Sequence, residues 1–154
     1  MKEKIMPNSN NDKKALEVLE KAVYKAQNSL EMTQQFRPFM MIMDINGVIK
    51  TIENQAEDIE DSYNRLGDSL KERVLKEDID VVVLAVDTNM PERFGKGTAP
   101  SIRLHIEEMS QIDTQISARF IYVPYKLYRV EKKITCKLDS PIPIGFPAEY
   151  LQKK

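Results

Sequence analysis

The chain is poor in histidine and cysteine. It has one cysteine, Cys136, and one histidine, His105, in 154 residues. A lone cysteine cannot close an internal disulfide, and Cys136 has no partners at zinc-ligand spacing. Any Ser–His or Cys–His mechanism would have to run through His105 alone. No apolar run reaches the roughly 18 residues that span a bilayer. Residues 1–14 carry Lys, Asn and Asp where a secretory leader would have its apolar stretch. A cytoplasmic location and no membrane partner are the resulting expectations. No internal repeat and no long linker interrupts the chain, and 42% apolar residues suit one core. Residues 1–10 read as a disordered lead-in and 11–154 as a single α/β domain.

Charge is nearly balanced at −1 but unevenly placed. Residues 39–78 hold five basic against ten acidic side chains, and residues 114–154 hold eight basic against three acidic. Such polarity suits self-association or an oppositely charged protein, and a weakly acidic chain is a poor candidate for general nucleic-acid binding.

Leu16, Leu19, Val23, Ala26 and Leu30 recur at helical spacing and predict a first helix with these residues as its buried stripe. Pro38 ends it. Phe39–Met43 is apolar throughout, as a strand covered on both faces would be. Asn46-Gly47 supplies the positive-φ positions of a tight turn, after which 48–52 returns as a second strand. Asn54, with Glu57 three residues later, marks the start of a second helix whose stripe is Ile59, Tyr63, Leu66, Leu70 and Val74. Residues 79–86 form the strongest strand. Ile102, Leu104 and Ile106 alternate with Arg103, His105 and Glu107, the pattern of a half-exposed strand. Residues 116–123 form another, limited by Pro124. Beyond Tyr125 the chain reads as an irregular wrap with one more short strand near 134–138. The fold class is therefore α+β, in the order α-β-β-α-β-β-β, with a mainly antiparallel sheet of about five strands and helices packed on it.

Candidate chemistry is sparse. Met41-Ile42-Met43-Asp44-Ile45-Asn46-Gly47-Val48 resembles the first motif of the haloacid-dehalogenase-like phosphatases. In that family an Asp like Asp44 attacks phosphorus, and a second Asp, here replaced by Asn46, handles the proton. An amide cannot shuttle that proton. Glu57, Asp58, Glu60 and Asp61 suit a helix N-terminus better than a cation. Gly95-Lys96-Gly97-Thr98 lacks the spacing of a P-loop and runs into Pro100. Loops on a firm sheet do carry function, however, and a phosphate- or nucleotide-type ligand would meet Asp87, Arg93, Phe94, Lys96 and His105 at one end of the sheet. His105 is expected to be exposed there. Cys136 reads as an inert thiol unless Lys132, Lys133 and Lys137 converge on it. Tyr122, Tyr125 and Tyr128 interleave with Arg119, Lys126, Arg129, Lys132 and Lys133, a pattern of a soluble sheet edge more than of a nucleic-acid groove.

Pro38-Phe39, Asp44 to Gly47, Val86-Asp87 and Pro124-Tyr125 together resemble landmarks of a group of small, uncharacterised bacterial α/β proteins. That resemblance implies a fold and no activity. The element order is also similar to roadblock/profilin-like domains, mostly dimerising scaffolds. The functional expectation is a non-catalytic protein-interaction module, partnering itself as a homodimer or another protein, with no cofactor, no metal and no catalytic residue. The alternative is a small-ligand-binding protein or weak enzyme using the 87–98 loop.

Overall fold

A computed structural model describes residues 9–94 and 99–153, with side chains from Lys13 onward. The two runs expected to be buried on both faces become inner strands. They are β1 (Phe39–Asp44) and β3 (Ile79–Asn89), which pair antiparallel. The hairpin partner of β1 is β2 (Ile49–Ile52), a four-residue edge strand whose Lys50 and Thr51 face water. Short length and charge both discourage further pairing at that edge. In the connecting turn only Gly47 takes a positive φ, +81°, so Asn46 does not need the left-handed region. The Asp44 side chain fixes the turn by accepting from the amides of Asn46 and Val48 at 2.8 and 3.0 Å.

The sheet continues through β4 (Pro100–Glu108), β5 (Ala118–Val130) and β6 (Lys133–Leu138), in the order β2-β1-β3-β4-β5-β6, with β7 (Ile142–Phe146) also paired to β5. All the pairings are antiparallel. The described residues form seven strands where about five were expected: β6 is the short strand expected near 134–138, and the Pro-rich segment, read as irregular wrap, supplies β7. Pro124 does not end β5. It stands where the partner of β5 changes from β7, which pairs residues 118–122, to β6, which pairs 125–130. A missing N–H costs least at such a junction.

Helix α1 (Ser9–Thr33) covers one face of the sheet and α2 (Ile59–Lys76) the other. Most of the expected disordered lead-in lies outside the described residues, and Ser9 and Asn10 already belong to α1. The cap of α2 is Asp58, whose carboxylate accepts from the Asp61 amide at 2.9 Å. Asn54, expected in that role, instead bonds the Ser62 hydroxyl and carbonyl and so ties the incoming loop to the helix. Leu66, Leu70 and Val74 of α2 pack on Met40, Ile42, Val82 and Leu84. No helix among the described residues is long and apolar enough to cross a membrane.

The buried stripe of α1 holds Ala26 and Leu30 as expected, but over the first half of the helix it is rotated from the one expected. Ala15, Val18, Ala22, Ala26 and Leu30 face the sheet, all at most 5% exposed, while Leu16 is 55% exposed. The cause is the curl of the sheet around the helix. Strand β6 closes on α1, where Gln27 donates to the Cys136 carbonyl and the Cys136 amide donates to the Glu31 carboxylate, at 2.9 and 2.8 Å. Alanines permit that close approach, while Leu19 and Val23 pack half-buried at the edge of the core and Leu16 is displaced to the flank.

Candidate functional site

Alternation along β4 places Ile102, Leu104 and Ile106 against α1 and turns Arg103, His105 and Glu107 the other way. The second row was expected to face water. It does not: His105 is 2% and Glu107 0% exposed. The segment after β7 crosses this row and covers it. Its amides at Glu149, Tyr150 and Leu151 all donate to the Glu107 carboxylate, at 2.9, 3.0 and 2.9 Å. The fourth partner is His105 Nε2, 2.7 Å away. Burial alone would raise the Glu107 pKa. The hydrogen bonds from His105 and from the amides of Leu151 and Glu149 outweigh it and hold the carboxyl below its ordinary value. The His105 ring is enclosed by Phe120, Phe146 and Tyr150, with centroids 5.3, 5.2 and 5.4 Å away. The sole histidine is thus engaged in tying down the C-terminal strap, and the expectation of an exposed His105 is corrected.

Farther along the same face lies a stack of rings and guanidinium groups. Arg103 lies between Phe120 and Tyr63 of α2, its guanidinium carbon 4.5 and 5.2 Å from the two ring centroids. Its buried Nε has no hydrogen-bond partner. Arg93 lies over Phe94, which meets Tyr122 edge-on at 6.1 Å. Arg93 and Phe94 therefore join the aromatic face, on a short 3-10 turn at Glu92–Phe94.

Asp87 belongs to the opposite face. Like Val83 and Ala85 it points to the α1 side, and its carboxylate accepts from the Tyr125 hydroxyl at 2.8 Å. Burial raises the Asp87 carboxyl above its ordinary pKa, partly offset by that hydrogen bond, and burial also raises the Tyr125 hydroxyl. Lys96 lies outside the described residues. Of the five nominated residues, then, Arg93 and Phe94 share a site, His105 is enclosed on the same face, and Asp87 is on the other. Arg103, Glu107, Tyr63, Phe120 and Tyr150 were not nominated. The signal available was the His-x-Glu spacing, which puts both side chains on one face of a strand.

Asp44 ties its own turn together, as above, which is a structural task for the residue that matched the phosphatase nucleophile. Among the described residues no three His, Cys, Asp or Glu side chains are grouped to hold a metal ion. Cys136 is 2% exposed, and its neighbours act against reactivity. Burial, and then the carboxylates of Glu31 and Asp87, push its thiol up to about 11, where convergence of the lysines would have lowered it. On the order of one thiolate in a thousand is then present at about pH 8. Labelling by a thiol-specific disulfide reagent is expected to be slow in the native protein and immediate in denaturant; fast native labelling would contradict the burial.

The displaced apolar residues of α1 open a groove. Leu16, Leu19, Val23 and Tyr24 line one wall, and Ile121, Val123, Leu138 and Pro141 the other, around about 470 Å³. Glu20 and Asp139 also line it. Tyr24 is 70% exposed. Next to the groove the β5–β6 hairpin continues as an arm, with residues 126–130 all exposed. Val130 and Tyr128 of the arm are 63% and 46% exposed, among Arg129, Lys132 and Lys133. No family model matches the chain, and no curated protein or solved structure matches it either.

Proposed function

We propose that this chain is a non-catalytic protein-interaction module that self-associates through the α1 groove. The observation that carries the reading is the flank of α1, where Leu16 and Tyr24 are more than half exposed beside the half-buried Leu19 and Val23. An apolar strip of this kind on a surface is the ordinary mark of a binding face. A second copy is favoured by complementarity: the arm is apolar and basic, and the groove is apolar with Glu20 and Asp139 in its lining. Leu138 and Asp139, at the base of the arm, also line the groove. Two arms lying antiparallel would bring each tip to the other's base, an isologous arrangement that closes on itself. The engagement of His105 by Glu107 supports the non-catalytic part of the reading.

Light scattering over a concentration series is expected to show a dimer, and the double variant Leu16→Asp/Tyr24→Asp a monomer. Both side chains are more than half exposed in the single chain, so the variant should still fold cooperatively, losing only the concentration-dependent part of the wild-type melting temperature. A wild-type chain that is strictly monomeric, with no partner recovered from cell extract, would sink the proposal.

A further inference from the structure

We infer a second site, on the arm, for a small phosphorylated molecule that carries a planar ring, of the mononucleotide class. The register of β5 and β6 places Lys126 directly opposite Lys137, and Tyr128 directly opposite Thr135, so all four share one face. Facing lysines repel each other, and a cross-strand pair of like charges weakens a hairpin. Nothing in the packing requires it, because both are exposed. The two lysines line a concavity of about 450 Å³ together with Tyr125, Tyr128, Pro124 and Ala99. That volume is ordinary for a small-molecule site.

The chemistry of the walls selects the ligand. Two ammonium groups on one side supply the counter-charge for a phosphate dianion, whose binding would relieve their repulsion. Tyr128, 46% exposed, offers a ring face on which a base can stack. Leu138 and Pro124 add apolar wall. The one acid in the lining, Asp139, is partly occupied, since its Oδ1 accepts from the Ser140 amide at 2.7 Å. No hydrolytic step is implied, because the lining holds no histidine or thiol. The site shares Tyr128, Leu138 and Asp139 with the arm and groove proposed for self-association, so the two compete for that surface. The titration is therefore repeated on the Leu16→Asp/Tyr24→Asp variant, to read the site apart from the dimer.

Titration calorimetry of the full chain with AMP, and separately with inorganic phosphate, tests it. AMP is expected to bind at one site per chain, more tightly than phosphate. Lys126→Gln and Lys137→Gln should each weaken AMP by roughly tenfold, the loss of one charge-assisted contact. Tyr128→Leu should weaken AMP and leave phosphate unchanged. Lys132→Gln, beyond the lining at the arm's turn, should change neither. A structural role for the lysines predicts a lower melting temperature on substitution, whereas relief of repulsion predicts an equal or higher one. Absence of heat from both probes at about 10 mM overturns the site. Equal weakening by Lys132→Gln overturns it too, as diffuse attraction to a basic arm, and AMP binding no tighter than phosphate overturns the ring.

Discussion

Glu107→Ala is expected to lower the melting temperature by about 10–15 °C, corresponding to roughly 3–5 kcal/mol. The carboxylate is fully buried and accepts four hydrogen bonds, three from consecutive backbone amides and one from His105. Removing it leaves those donors without a partner in a place that water reaches poorly, and each orphaned group costs about 1–3 kcal/mol. The strap can relieve part of that by lifting off. Lifting, however, exposes Leu151, which belongs to the α2 core, and uncovers the rings around His105. It also withdraws Tyr150 from Gly67 of α2, where even a methyl group would come within 2.9 Å of the tyrosine hydroxyl. Hydrogen exchange should therefore show the amides of residues 149–151 losing protection together. A change within about 0.5 kcal/mol, as for an ordinary surface position, would mean that the strap is held by its apolar contacts alone.

The same variant has a pH signature. The folded carboxyl of Glu107 titrates below its unfolded value of about 4.3, so its contribution to stability is complete above that value. It is lost as pH falls through the lower, folded value. The gap in stability between wild type and Glu107→Ala is thus expected to be constant near neutrality and to narrow in acid. A gap that widened in acid would have the wrong sign for a carboxylate held ionised by its donors. Equilibrium denaturation at a series of pH values reads it.

Much of the frame was legible in the residues. Phe39–Met43 and Val81–Val86 are apolar on both faces because both faces are covered, and Asp44 to Gly47 is a turn because its aspartate and glycine meet the needs of one. What the residues do not reveal is what a partner distant in sequence decides. Alternation in 102–107 says that the two faces differ; it does not say that the polar one is wet. Arg103, His105 and Glu107 are covered because rings from β5, β7 and α2 and amides from residues 149–151 satisfy them. The lysine pair on the arm depends on strand register, which composition cannot supply. Asp87 and His105 both sit near the expected end of the chain's strongest strands, yet one residue of parity sends them to opposite faces.

The stripe of α1 is the sharpest case, and it carries the second large prediction. Apolar periodicity weights large side chains, so Leu16, Leu19 and Val23 were expected inside. A sheet that curls around a helix weights closeness: it buries Ala15, Val18 and Ala22 beside the expected Ala26 and Leu30, and leaves Leu19 and Val23 half-buried and Leu16 exposed. The usual ranking of mutational cost should accordingly be inverted here. Ala22→Leu places three extra carbons where the helix already meets the sheet with no exposed surface, and it should cost about 3 kcal/mol, or about 6–12 °C in melting temperature. Leu16→Ala removes the same three carbons from a side chain that is 55% exposed and gains slightly in helix propensity. It should stay within about 0.5 kcal/mol of wild type when measured on the monomer. Chemical denaturation of the two variants in parallel decides between the stripes. If Leu16→Ala proves the more damaging, α1 is turned the other way in solution, its large residues form the core, and the groove proposed as the docking face does not exist.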